Sequence, residues 1–340
     1  MREQLAEAEK ASSLPERRTL GGWALVRDLL ERLGAFWGLI VLCILLAIAS
    51  PQFLTASNLL TVSLQVSVVG IIAVGMTLVI ITAGIDLSVG SVVGLSGVIA
   101  ASLMVNNNVN PVLSSILALA VSTVIGIVNG LLITRFDLPP FIVTLGMMGA
   151  ARGLAFILTN GNQIFGMPMS FTALGSGYVG PIPIPVVALA VVALTGYIVL
   201  ARTKLGAYAY AIGSNPDAAR LSGVNVGRSL IYVYAICGLL SGLAGLVLAG
   251  RISIGAPSSG LGYELDVIAA CVIGGTSLFG GEGTILGTLI GTFLIGIVRN
   301  GSDLLNISNF YQQVIIGVII WVAVLYDRIR TRRLSRSRES

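Results

Sequence analysis

Apolar runs long enough to cross a bilayer recur from residue 34 to residue 327, and polar residues gather in the short stretches between them. About twenty consecutive apolar residues make a helix as long as the hydrocarbon core is thick, so the runs can be counted as spans. They fall at 34–50, 59–82, 88–105, 111–134, 141–159, 183–201, 230–250, 264–280, 284–300 and 310–327. Backbone polar groups in lipid must be satisfied internally, and the pattern therefore predicts an all-α membrane protein, a polytopic bundle of about ten transmembrane helices. Residues 1–33 read differently. From Trp23 the stretch WALVRDLLERLGAFW is amphipathic, which predicts an irregular start followed by a helix lying on the membrane surface. The expected organisation is an N-terminal tail over 1–33, a transmembrane domain over 34–327 and a basic tail over 328–340. Ala47-Ile48-Ala49 imitates a signal-peptidase site, but the lead before it is too long and too acidic for cleavage to be expected.

Glycine interrupts the apolar pattern at two places more densely than a comfortable helix allows, TAGIDLSVGS at 82–91 and IGGTSLFGGEG at 273–283. Elsewhere small residues in the spans read as close helix packing. Gly84-x-x-Leu87 matches Gly275-x-x-Leu278, so the two clusters are read as corresponding breaks in two related halves, the places where transporter sites tend to form.

Composition narrows the chemistry. The chain is 55% hydrophobic and 10% charged, it has no histidine, and its only lysines are Lys10 and Lys204. A Ser-His-Asp or Cys-His site and a histidine-ligated metal are excluded. Neither lysine follows glycine with Ser or Thr after it, so the ordinary phosphate-cradling loop is absent and any ATP hydrolysis belongs to a partner. Cys43, Cys237 and Cys271 lie in apolar runs at no metal-like spacing and read as small buried hydrophobes. No cofactor is expected.

Charge then sets orientation. Of the twenty basic residues, six lie in 1–33, six in 328–340, and five more at Arg135, Arg202, Lys204, Arg220 and Arg228. Basic residues accumulate on the cytoplasmic side of spans, and an even number of spans returns both tails to that side. The expected location is a cell's inner membrane, in contact with lipid, with both termini cytoplasmic. The same distribution argues against a nucleic-acid footprint.

Charges inside spans need a partner or a wet cavity. Asp86 is the only charge between Asn58 and Asn110, and Arg152 stands about 16 Å into the span that begins at Phe141. Each reads either as half of an ion pair holding helices together or as part of the permeation path or its gate. Gly84, Asp86, Ser88, Gly90, Arg152, Gly274 and Gly275 are the candidate pathway residues. Arg251, Glu264 and Asp266 read as solvated charges at the external rim, or as docking points for an external partner.

The one long polar interruption is residues 202–229. Within it Asn215 can cap a helix, Pro216 suits the first helical position, Asp217 sits favourably in the first turn, and Gly223 offers a stop. Asp217-Ala218-Ala219, three residues and Gly223 resemble the signature of the loop by which permeases of ATP-binding-cassette (ABC) importers seat their ATPase. That resemblance implies a coupling helix at 214–223, made of Ser214, Asn215, Pro216, Asp217, Ala218, Ala219, Arg220, Leu221, Ser222 and Gly223, with a small face at Ala218, Ala219 and Gly223.

Four segments, AVGMTLVIITAGIDLSVGS (73–91), TKLGAYAYAIGSNPDAARLSGVNV (203–226), GYELDVIAACVIGGTSLFGGEGTILGTLIG (262–291) and NISNFYQQVIIGVIIWVAVL (306–325), resemble the ribose-type permeases of bacterial ABC sugar importers. The likeness runs from about residue 40 to residue 327, and the N-terminal extension departs from it. It implies a homodimer or pseudodimer of permeases, an ATPase subunit pair, a periplasmic sugar-binding protein, and alternating access without chemistry in the permease. Ribose is the first sugar it favours, then xylose or arabinose. The reading from another class is a proton-coupled secondary transporter in which Asp86 or Arg152 carries the proton.

Overall fold

A computed structural model describes residues 34–339, with side chains described to Leu325 and again at Arg328; the surface helix expected before residue 34 lies outside the described residues. The chain is an all-α membrane protein. Its helices are α1 (Gly34–Ala49), α2 (Ala56–Ile81), α3 (Val89–Val105), α4 (Pro111–Arg135), α5 (Pro140–Thr159), α6 (Met169–Ser176), α7 (Ile184–Arg202), α8 (Lys204–Ser214), α9 (Pro216–Leu221), α10 (Val226–Ile252), α11 (Tyr263–Ile273), α12 (Ile285–Leu304) and α13 (Asn309–Glu339). Between α6 and α7 a two-stranded hairpin pairs β1 (Tyr178–Val179) with β2 (Ile182–Pro183), Val179 opposite Ile182.

Among the described residues six helices, α2, α4, α5, α7, α10 and α12, are long and apolar enough to cross a membrane, and α1, α3 and the apolar part of α13 are shorter. The run at 264–280 does not make a span. Helix α11 stops at Ile273 after 11 residues, about 16 Å, because Gly274 and Gly275 follow and Gly275 turns the backbone to φ +88°. Helix α13 continues through the basic residues that follow 327.

Local sequence accounts for the ends. Thr55, Asn110 and Thr284 each accept a backbone N–H in the first turn of α2, α4 and α12. Inside the spans, hydroxyls turn back on their own helix: Thr77 donates to Ala73, Ser122 to Ala118, Ser241 to Cys237 and Thr292 to Thr288, each within 2.9 Å. No water is needed to satisfy them.

Helix α10 is the axis on which α2, α3, α4 and α6 pack. Its approach to α4 is backbone on backbone: Gly126 sits on the Tyr234 carbonyl and Gly238 on the Ser122 carbonyl. Where lipid removes the hydrophobic drive between helices, such contact supplies the dispersion energy that holds them. Side chains facing away from this axis, among them Val112 and Ile116 of α4, Ile142 and Ile157 of α5, and Val191 and Leu194 of α7, are apolar and exposed, as a lipid-facing surface requires.

A methyl group at Gly126 would fall on the Tyr234 carbonyl oxygen and 2.9 Å from its carbon, whereas one at Gly146 meets nothing within 4 Å. Gly126→Ala should therefore cost about 1–3 kcal/mol of packing strain and lower the melting temperature in detergent by several degrees. Gly146→Ala should leave it unchanged, and equal effects of the two would show that α4 and α10 do not hold this contact.

Candidate translocation core and coupling helix

The two glycine-rich breaks meet. Helix α2 ends at Ile81, whose carbonyl accepts the Gly281 N–H at 2.9 Å, and Gly280 packs against Ala83. The C-terminus of α8 closes the same junction. The Gly213 carbonyl faces Gly280, Ser214 faces Gly281, and the Tyr210 hydroxyl donates to the Gly283 carbonyl at 2.7 Å. One layer above, the Thr77 and Thr288 hydroxyls lie 2.7 Å apart beside Cys271, tying α2 to α12 and α11.

Past the first break the chain presents Asp86, 1% exposed. Its Oδ1 accepts the Ser88 N–H at 2.9 Å and the Ser88 hydroxyl at 2.6 Å, and the Asn129 amide of α4 donates to that hydroxyl at 3.1 Å. The Cys237 thiol adjoins the carboxyl group, and Gly84 leaves room for the Tyr234 hydroxyl, 2.5 Å from where a Cβ would stand. Cys237 is about 16 Å along α10 from Val226, so this acid lies deep in the bundle.

Arg152 belongs to a different network. After α10, Ser253 takes a left-handed conformation and the chain turns back inward, and Arg152 Nη1 donates to the carbonyls of Pro257 at 2.6 Å and Ser259 at 2.7 Å. Gly260 and Glu264 of the same return press on Gly90 at the start of α3. Neither Asp86 nor Arg152 forms a salt bridge within 4 Å among the described residues, although the carboxylate of Glu264 is near enough to Arg152 to act on its charge. Of the other candidates, Gly274 packs on the Gly287 backbone, and Gly275 stands at the end of α11 with open space beside it.

The buried ion pair lies elsewhere. Asp266, expected as a solvated rim charge, is 1% exposed and meets Arg299 of α12 at 2.8 Å; Glu264 and Arg251 are half-buried rather than solvated. Arg299 is signalled by the sequence itself, as a cation within an apolar run that by cost alone requires a partner. Nearby, Asn58 and Asn300 exchange two amide hydrogen bonds of 2.9 and 2.7 Å between α2 and α12.

At the end of the bundle that carries Arg135, Arg202 and Arg228, α9 is built as its residues dictate. Asn215 Oδ1 accepts the N–H groups of Asp217 and Ala218, Pro216 opens the helix, and Gly223 takes φ +86° to end it. The expected small face is divided. Ala218 and Gly223 are exposed, but Ala219 turns inward against Ile212 and Val226 and anchors the helix to the body. Leu221 is instead the outward apolar residue, 91% exposed.

A family profile described as branched-chain amino acid transport system / permease component matches residues 58–324. The chain belongs to this permease family. It is 45% identical over 301 residues to the ribose import permease protein of Bacillus subtilis, covering 88% of this chain and 93% of that protein. It is 46% identical over 296 residues to the ribose import permease protein of Escherichia coli, covering 85% and 92%. The L-arabinose ABC transporter permease protein of Azospirillum brasilense is 39% identical over 320 residues, covering 94% and 93%. No solved structure matches it significantly. The permease is a transporter component rather than an enzyme.

The two buried acids of the permease should separate on mutation. Asp86→Asn keeps an acceptor for the Ser88 donors and removes no ion pair, so membrane level and melting temperature should hold while uptake falls at least tenfold. Asp266→Leu leaves the half-buried Arg299 without its counter-charge and should lower both level and melting temperature. Loss of membrane level in Asp86→Asn would make that residue structural.

Proposed function

We propose that this permease is the membrane-spanning subunit of a bacterial ABC importer of a monosaccharide, with ribose the first substrate and xylose or arabinose next. The observation that carries the proposal is the outward face of α9: a capped helix held to the body by Ala219 that offers Ala218, Arg220 and Leu221 to a partner. A helix of six residues has no stability of its own, so its form depends on what it packs against. An ATPase groove is the proposed seat, through residues 214–223. ATP binding closes the ATPase pair, moves the two α9 helices of a permease homodimer or pseudodimer, and switches the side to which the path opens.

In this reading the end of the bundle bearing Arg135, Arg202, Lys204, Arg220 and Arg228 faces the cytoplasm of an inner-membrane protein, and both termini lie on that side. The opposite end receives the sugar from a periplasmic binding protein. Gly84, Asp86, Ser88, Gly90, Arg152, Gly274 and Gly275 belong to the path or its gate in this proposal. Support comes from the meeting of the two breaks beside Asp86 and from relatives described as ribose and arabinose permeases. Uptake of labelled ribose should stop when ATP is depleted with the proton gradient intact. Uptake that survives would replace this reading with proton-coupled transport through Asp86 or Arg152.

Leu221→Asp and Gly223→Arg place charge on the outward face of α9, and the second also puts a Cβ at a positive φ. Both should reach the membrane at normal levels, lose at least 90% of the co-purifying ATPase and abolish uptake. Arg135→Gln, at the last residue of α4 on the same end, should retain both. If either α9 variant kept its ATPase and its uptake, α9 would not be the coupling element.

A further inference from the structure

A cavity of about 170 Å³ lies between α2, α11, α12 and α13. None of the pathway candidates from the two breaks lines it. Its mouth is formed by Asp303 and Asn309, both exposed, and its floor by Thr292 and Ile295, both buried. Cavities of about 150 Å³ are known to take up a six-membered ring, so there is room for a ring and its substituents.

The wall chemistry is polar and incompletely paired. The Asp266–Arg299 ion pair lines one side and Gln65 another, and within these residues Gln65 Oε1 and Arg299 Nε are buried without a hydrogen-bond partner. A buried acceptor and a buried donor left open on one cavity mark places that a bound molecule completes. A hydroxyl can serve both, donating to Gln65 Oε1 and accepting from Arg299 Nε–H. Gln312 is fixed in the wall by donating to Asp303 Oδ1 at 2.7 Å and to the Ile307 carbonyl at 3.1 Å, and the half-buried Tyr263 adds an aromatic surface for C–H groups. Adjacent hydroxyls on a small ring, with apolar C–H faces between them, match this set better than an anion or a purely apolar solute.

We infer that this cavity is a monosaccharide-binding subsite of the permease itself, entered past Asp303 and Asn309. The inference rests on the importer reading, and it adds that the permease recognises its solute directly, apart from any binding protein. The site sits at the end of the bundle opposite α9, where an imported sugar would first meet the chain.

The test uses the full-length chain in nanodiscs, with Cys43→Ser as background because Cys237 and Cys271 are fully buried. Val69→Cys provides a thiol on the cavity wall for a water-soluble maleimide and leaves the Gln65 and Arg299 contacts in place. The labelling rate should fall at least fivefold in saturating D-ribose, D-xylose or L-arabinose and stay unchanged in the same concentration of glycerol. In cells carrying the complete importer, Gln65→Leu should raise the KM for uptake at least fivefold while membrane level and ATPase co-purification hold. A thiol that does not label, labelling that no sugar slows, or an unchanged KM would overturn the subsite while leaving ATP-dependent uptake, and so the importer reading, intact. Equal sugar uptake by cells with and without the chain would instead remove the importer reading and the subsite with it.

Discussion

A helix broken inside an apolar medium frees backbone N–H and C=O groups that no water is present to satisfy, and everything at the centre of this permease answers that constraint. The carbonyl left over at Ile81 is taken by the N–H of Gly281, a group freed by the other break. The Tyr210 hydroxyl reaches from α8 to a third loose group, the Gly283 carbonyl. The inward return after α10 has its carbonyls at Pro257 and Ser259 collected by one guanidinium, that of Arg152. Irregular backbone survives here because each irregular segment finds a partner, in the other break or in a side chain of a neighbouring helix.

The same accounting explains the charges. Arg152 spends its hydrogen bonds on backbone carbonyls with Glu264 as a charged neighbour, Asp86 is held by a serine and, through it, an asparagine, and Asp266 and Arg299 neutralise one another in direct contact. All four groups therefore have fixed positions, whatever they do for a passing solute. Asp86 differs in having no cation opposite it among the described residues, which is why removal of its charge is separable from removal of its fold.

Much of this was legible in the residues. Apolar run lengths placed the long helices within a few positions, since in lipid the length of a span is a physical quantity. Asn215, Pro216 and Gly223 specified α9 locally, because caps and stops are one-residue chemistry. The run at 264–280 misled because hydropathy counts apolar residues without regard to whether Gly274 and Gly275 can continue a helix. The partners of the charges were not legible at all. Asp266 and Arg299 are 33 positions apart, and only the packing of α11 on α12 brings them together. The inward turn of Ala219 was equally hidden, since a six-residue helix shows no periodicity from which to read a face.

The polar loop has a mechanical character that its composition does not suggest. A single residue, Thr203, separates α7 from α8, and a single residue, Asn215, separates α8 from α9. There is no slack at either joint. Helix α8 also ends with Gly213 and Ser214 pressed on the junction where Ile81 receives Gly281. If α9 is the coupling element proposed above, a force on it would reach the seam between the two broken helices across a single residue, Asn215, and the loop would act as a short crank with its bearing at the hydrogen bond between Gly281 and Ile81.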